Sequence, residues 1–299
     1  MLSNYEDSFL GLDKNGLTRN YQNGQLRLVR NSDFVKRNTP QGIPLRAKEY
    51  RINIIKEGHI TYNMNLIDYP LEAGDVLITP PNTIGVFDRV PEHFSTDIII
   101  LPLYISDLAS KSEKKLPTGV THLHLDDEEF ERLKHLLDLL EGYIRIDLKH
   151  PHSDNRCSDH VNYLLLTIFY DLIELCSDNE LPSTQKGRDS LTFNKFLSLV
   201  NEYGMRERNL GFYADKLNLS TSLMTTLIME QSGRPAMDWI VQTTIMEARM
   251  LLCHTDLLIF EISSQLHFSE PSAFIRFFRK HTGMSPGAYR KAMTEASEK

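Results

Sequence analysis

FSEPSAFIRFFRKHTGMSP, residues 268–286, sets four phenylalanines and three cations within a few turns of one another. Phe274, Phe277 and Phe278 fall at i, i+3 and i+4 and are expected to face a core. Ser272, Arg276, Arg279 and Lys280 fall at i, i+4, i+7 and i+8, another face of the same helix. Ser269 suits an N-cap, Pro271 falls in the first turn where a missing N–H does no harm, and Gly283 suits a C-terminal stop. The expected object is a rod held by rings on one side and rich in cationic hydrogen-bond donors on the other. Arg276 lies near enough the helix start to reach a base edge, where a guanidinium pairs bidentately with guanine. Arg279 and Lys280 lie later and suit phosphate.

The same plan occurs once more. FYADKLNLSTSLMTTLIMEQSG (212–233) and IFEISSQLHFSEPSAFIRFFRKHTG (259–283) each hold a short amphipathic helix ending at Leu217 or Leu266. A tight turn with Asn218 or His267 follows, then an apolar residue, a serine (Ser220 or Ser269) and a second helix running to a glycine. Asn and His tolerate the left-handed backbone that such a turn needs. Helix, short turn, second helix is the helix-turn-helix plan, whose second helix can lie in a major groove. TSLMTTLIME (221–230) carries no positive charge. Its offer to DNA is Thr221, Ser222, Thr225 and Thr226, so the second unit is expected to supply most of the affinity.

Outward from these units the pattern changes twice. From about Gln25 to Leu103 short runs rich in Ile, Tyr, Val and Thr are cut by Glu57-Gly58, Ala73-Gly74-Asp75 and Pro80-Pro81-Asn82. This predicts a small antiparallel barrel or sandwich. After Pro117, Phe130, Leu133, Leu137, Leu140 and Ile144 recur at steps of three and four, a helical seam; SDHVNYLLLTIFYDLIELC (158–176) is a second apolar helix. The seam fits core against the barrel or a homodimer interface, and one helix can serve both. LPSTQKGRDS (181–190) is the linker candidate. The expected class is therefore α+β and multidomain: residues 1–178 a β-barrel with a helical dimerisation segment at 126–177, a linker at 179–191, and an all-α domain at 192–299.

Composition bounds the function. The net charge is −7, but residues 191–299 hold 12 Lys/Arg against 11 Asp/Glu, so the excess acid lies earlier. Residues 269–291 carry five Lys/Arg and one acid, Glu270. A local basic patch on an acidic chain fits a docking face better than general coating of nucleic acid. Cys157, Cys176 and Cys253 lack disulfide or zinc spacing and are expected to be reduced thiols. The first residues show no secretory pattern and no run is long enough to span a bilayer, so a cytoplasmic protein without membrane association is expected. His59 and His93 stand alone, and His122 and His124 have no acidic partner in view, so neither a metal site nor a cofactor is expected.

FEISSQLHFSEPSAFIRFFRKHTGMSPGAYRK resembles the second helix-turn-helix of AraC/XylS-type transcriptional regulators, through Ile259, Glu261, Ile262, Leu266, Phe268, Ser269, Ser272, Phe274, Arg276, Phe278, Gly283, Ser285, Pro286, Tyr289 and Arg290. YADKLNLS, followed by SG and AMDWI, resembles the first unit, and ARMLL the helix between them. GHITY and LEAGDVLITPPN resemble the family's cupin barrel, and residues 126–176 its dimerisation segment. His267 stands where the family turn has Gly, Ser263 where it has Ala, and Ile84 where a cupin histidine is often found.

The resemblance implies a one-component, sequence-specific transcription regulator with a sensor barrel, a homodimer, double-stranded operator DNA, a small-molecule effector such as a sugar, and RNA polymerase as partner. Glu270, Ser272, Ala273, Arg276, Arg279, Lys280 and Arg290 are its DNA-facing candidates in the second unit. Phe130, Leu133, Leu137, Leu140 and Ile144 are its dimerisation candidates. No effector-binding residue can be chosen. Two other classes compete: a metal-dependent cupin enzyme, which lacks ligand spacing, and a regulator without ligand that acts through a protein partner. No catalytic residue is expected.

Overall fold

The computed structural model describes residues 16–21, 24–30, 44–87, 91, 93–101, 117, 119–149, 159–178 and 185–297. Among the described residues ten strands come first: β1 (Gly16–Tyr21), β2 (Gly24–Val29), β3 (Leu45–Arg46), β4 (Tyr50–Glu57), β5 (His59–Met64), β6 (Ile67–Glu72), β7 (Asp75–Thr79), β8 (Ile84–Phe87), β9 (Ser95–Leu101) and β10 (Thr121–His124). They form two antiparallel sheets, ordered β1-β2-β9-β4-β7-β10 and β3-β8-β5-β6. Nine helices follow among these residues: α1 (Asp127–Lys149), α2 (Asp159–Asp178), α3 (Gln185–Tyr203), α4 (Leu210–Lys216), α5 (Thr221–Ser232), α6 (Ala236–His254), α7 (Ile259–Gln265), α8 (Pro271–Thr282) and α9 (Pro286–Ser297). The β half and the helical half fall in the order that the periodicity predicts.

Strand alternation assigns the faces of the larger sheet. Tyr50, Ile52 and Ile54 of β4, Val76 and Ile78 of β7, and Ile99 and Leu101 of β9 point one way, into a core shared with α1 and α2. Ile55 and Leu77 point the other way and join Ile60, Tyr62, Met64 and Leu71 of the smaller sheet. Fully burying each such side chain contributes about 1.5–3 kcal/mol.

The helical seam belongs to the first of these cores. Leu133, Leu137, Leu140 and Ile144 are at most 4% exposed, and Phe130 packs partly buried beside them. Arg30 fixes α1 on the sheet, pairing with Asp97 at 2.9 Å and Asp138 at 2.8 Å. Asp126 and Glu129 form a reciprocal cap at the start of α1. Dimerisation through the seam is thereby corrected: those leucines are consumed inside the chain. The apolar residues that α1 leaves in solvent are Leu139 and Ile146, seven apart on its outer line.

The linker expectation is corrected too, since α3 starts at Gln185 and takes residues 185–191 into a helix. A single glycine, Gly187, costs a helix only about 1 kcal/mol, and the flanking Lys186 and Arg188 are good helix formers. Residues 179–184 and Cys157 lie outside the described residues.

Among the described residues the two halves touch at several places. The β5–β6 hairpin turns through Asn65 (φ 51°) and Leu66 (φ 69°), a conformation a leucine rarely adopts. Leu66 and Ile67 pack against the apolar cluster of α3, α5 and α6. Arg46 pairs with the buried carboxylate of Glu247 on α6, and His254, at the end of α6, bonds the carbonyl of Pro44 at 3.0 Å.

His122 and His124 do have an acidic partner. Asp75, the first residue of β7, lies 3.1 Å from His122 Nε2 and 2.8 Å from His124 Nδ1, so β10 is tied to β7 by side chains as well as backbone. Burial alone would raise the Asp75 pKa, but the Glu72 N–H and the two imidazoles outweigh it and lower it. The hydrogen bond to Asp75 raises the pKa of His124. A raised histidine contributes fully below its ordinary value of about 6.5 and loses that contribution as pH climbs through the folded value. Thermal unfolding followed from pH 5.5 to 8.5 should therefore show the wild-type midpoint falling toward that of His124→Gln at the alkaline end. Parallel profiles for the two proteins would contradict the pairing.

Candidate nucleic-acid interface

Local chemistry builds the second unit. α7 ends at Gln265 with Leu266 as its C-cap, and His267 turns the chain with φ 53°. α8 opens with Pro271 at its first position and ends at Gly283 with φ 81°. The cap expectation is shifted by one residue, because Glu270 occupies the N-cap and makes no side-chain cap bond; Ser272 donates to its carboxylate at 3.1 Å. Proline supplies the first turn with a fixed φ and no orphan N–H, which makes a serine cap dispensable.

Phe274 and Phe278 are fully buried, in one cluster with Ile245, Leu252, Ile262 and Leu266. The rings run in series, Phe268 to Phe274 at 5.4 Å, Phe274 to Phe278 at 5.9 Å and Phe278 to Tyr289 at 5.6 Å. Phe277 is only half-buried, against Phe268 and His281. Truncating either buried ring would cost about 3–5 kcal/mol. The opposite face leaves Glu270, Ser272, Ile275, Arg276, Arg279 and Lys280 exposed, with Ala273 half-buried at its margin. Among the described residues, Arg276, Arg279 and Lys280 make no salt bridge. Cations in the last turn are also favoured by the helix dipole.

The first unit repeats the geometry without the charge. Asn218 turns at φ 55°, Ser220 accepts from the Leu223 N–H at 3.2 Å, and Gly233 stops α5 at φ 66°. Met224 and Ile228 are buried, so Ile228 is core and unavailable to a groove. Thr221, Ser222 and Thr226 are exposed. Thr225 is half-buried and its hydroxyl donates back to the carbonyls of Thr221 (3.0 Å) and Ser222 (2.9 Å). Sequence reasoning missed Leu223 and Met229, which are 48% and 49% exposed on this helix. Their signal was available: they lie off the stripe that Met224 and Ile228 define.

α6 joins the two units; at about 1.5 Å per residue its 19 residues span about 28 Å. One candidate is reassigned. Arg290, expected to face DNA, donates from Nε to the carbonyl of Leu252 at 3.0 Å and from Nη2 to that of Leu257 at 2.7 Å. Its guanidinium satisfies carbonyls at and beyond the end of α6 and ties α9 to that helix.

This geometry has known counterparts. A family profile described as a helix-turn-helix domain matches residues 213–292. The Msm operon regulatory protein of Streptococcus mutans is 32% identical over 261 residues, which cover 83% of this chain and 86% of that protein. The chain belongs to the AraC/XylS family of transcriptional regulators. A further AraC/XylS relative, the arabinose operon regulatory protein of Salmonella typhimurium, is 22% identical over 250 residues, 83% of this chain and 85% of that protein. Among solved structures, ToxT from Vibrio cholerae O395 aligns with 91% of this chain and 99% of its own, with 14% identity and a TM-score of 0.42. As an AraC/XylS member the chain is a DNA-binding transcriptional regulator, with antiparallel sheets followed by its helix-turn-helix domain. Among the described residues no group of three or more His, Cys, Asp or Glu side chains is arranged to hold a metal ion, and no helix is long and apolar enough to cross a membrane.

Two outcomes follow for this AraC/XylS protein on a selected duplex. Arg276→Ala should weaken binding by about 1–3 kcal/mol and relax preference at one base pair, and Thr226→Ala should cost less. Titration of wild-type and variant bases checks both, and the reverse order would overturn the ranking of the units. Arg279→Ala should lower the slope of log affinity against log salt by about 1. Arg290→Ala should leave that slope unchanged and lower thermal stability instead; salt titrations beside melting curves separate the two roles.

Proposed function

We propose that the chain is a one-component regulator whose β half senses a small molecule and whose two recognition helices enter successive major-groove segments of an operator. The observation that carries this reading is the exposed cationic face of α8, held outward by the burial of Phe274 and Phe278. In it, Arg276 pairs with a guanine edge, Glu270, Ser272 and Ala273 meet bases near the helix start, and Arg279 and Lys280 hold phosphate. α5 reads through Thr221, Ser222, Thr225 and Thr226, to which Leu223 and Met229 add apolar contact with thymine methyl groups. We place the division between the halves at 179–184, with α3 in the DNA-binding half.

We assign the effector to the space between the two sheets and its class to sugars. Two relatives are named for the arabinose and raffinose operons. The inward face of the larger sheet carries Asn53 and Thr79, both buried, and the Thr79 hydroxyl has no hydrogen-bond partner among the described residues. A polyol would satisfy it. The contacts of Leu66 with the first unit and of Arg46 with Glu247 give a change in the β half a route to the helices. A homodimer using the outer line of α1, Leu139 and Ile146, would present paired copies of the helical half to DNA, beside RNA polymerase in the cytoplasm. No catalysis and no cofactor are part of this reading.

Selection of bound duplexes from a random pool by the purified full-length protein tests it. The expected result is enrichment of sites with two contacted segments about one helical turn apart on one face. Equal retention of all sequences at about 0.15 M salt would overturn the reading.

A further inference from the structure

Two recognition helices read one duplex only when both their separation and their relative rotation match the groove. α6 sets the separation, because a helix is stiff along its axis. Rotation about that axis has to be fixed by contacts off the helix. Residues 204–208, between α3 and α4, provide such a crossing from the first unit to the second. Gly204 is buried, and its carbonyl accepts from Thr244 Oγ1 of α6 at 3.1 Å. Met205 packs against the apolar cluster of the second unit, to which Phe274 and Phe278 belong. Arg208 then spans the gap: its guanidinium donates to the carbonyl of Leu266, donates to that of His267 at 3.3 Å, and lies 3.9 Å from the centre of the Phe268 ring.

Each of these contacts falls on the turn that aims α8. Leu266 and His267 close α7, where helix-end carbonyls lack intrahelical partners, and Phe268 leads into α8. A planar guanidinium satisfies two carbonyls and stacks on a ring at once, which an ammonium cannot do. The side chain that organises the turn of the second unit thus comes from the loop before the first unit's own helix-turn-helix.

We propose that Arg208 is a positioning residue for DNA recognition: it clamps the second unit's turn from the first unit, and so sets the rotation between α5 and α8 and the base-pair spacing that the protein accepts. This rests on the reading of α5 and α8 as groove-entering helices. The test uses the full-length protein and a duplex from the random-pool selection. One base pair is inserted or removed between the two contacted segments, which rotates one against the other by about 35°. The readout is the ratio of affinities for native and shifted spacing.

The wild type should favour the native spacing strongly. Arg208→Ala should cut that ratio by about tenfold, a change that charge-assisted hydrogen bonds can carry, and Arg208→Lys should fall between. If Arg208→Ala loses its helical circular dichroism, Arg208→Lys and Arg208→Gln are judged by the same ratio. Equal weakening at both spacings, which a merely stabilising arginine would give, overturns the clamp while leaving the groove reading intact. Failure to select any duplex overturns both.

Discussion

The burial of Phe274 and Phe278 is the constraint on which the recognition surface depends. With both rings fixed between α6, α7 and α9, helical periodicity leaves no freedom over where Arg276, Arg279 and Lys280 point. The cations need no ion-pair partner to hold them in place; the rings on the other side of the helix do it. This separates stability from recognition. Phe274 and Phe278, which anchor α8, touch no solvent, and residues offered to DNA add little to the fold. Arg290 falls on the stabilising side of that division despite its charge, because its guanidinium is spent on backbone carbonyls, and Arg208, spent in the same way, holds the turn before α8 without being offered to DNA itself.

The contact between the two halves obeys a different economy. Glu247 is fully buried on α6, one of its carboxylate oxygens meets Arg46 of the β half, and the other has no partner among the described residues. A buried carboxylate with one cation is strongly destabilised when that cation is removed, far more than the intact pair contributes. The left-handed Leu66 costs roughly 1–2 kcal/mol, and its apolar contact with the first unit offsets this. Both features tie an unfavourable local state to the presence of the other half, so the two halves are coupled through groups that are costly to leave unmatched.

Much of this was legible in sequence wherever the determining chemistry is local. Asn218, His267, Gly233 and Gly283 announce left-handed turns because few residues tolerate that backbone, and all four adopt it. β1 lay outside the predicted strand region, which began at about Gln25 and took in most of β2, although the Asn23-Gly24 step is a hairpin signal and β1 pairs with β2 from Tyr21 opposite Gly24. The cap of α8 was misplaced by one residue because a serine and a proline compete to begin that helix. Everything decided at long range stayed hidden. Asp75 and His124 are 49 residues apart, Arg208 and Leu266 are 58 apart, and Arg46 and Glu247 are 201 apart. No period or spacing links them. The seam on α1 illustrates the limit: its apolar steps establish a buried face but say nothing of whether the burying surface belongs to the same chain.

The most direct measurement of the central claim is guanine-N7 methylation interference on the selected duplex, because N7 lies in the major groove beside the O6 that an arginine pairs with. The account predicts that methylating a guanine beneath α8 blocks binding by the wild type, and that the block at that guanine disappears in Arg276→Ala. Binding unaffected by methylation at every guanine of the site, or interference identical in the two proteins, would contradict a groove-facing Arg276.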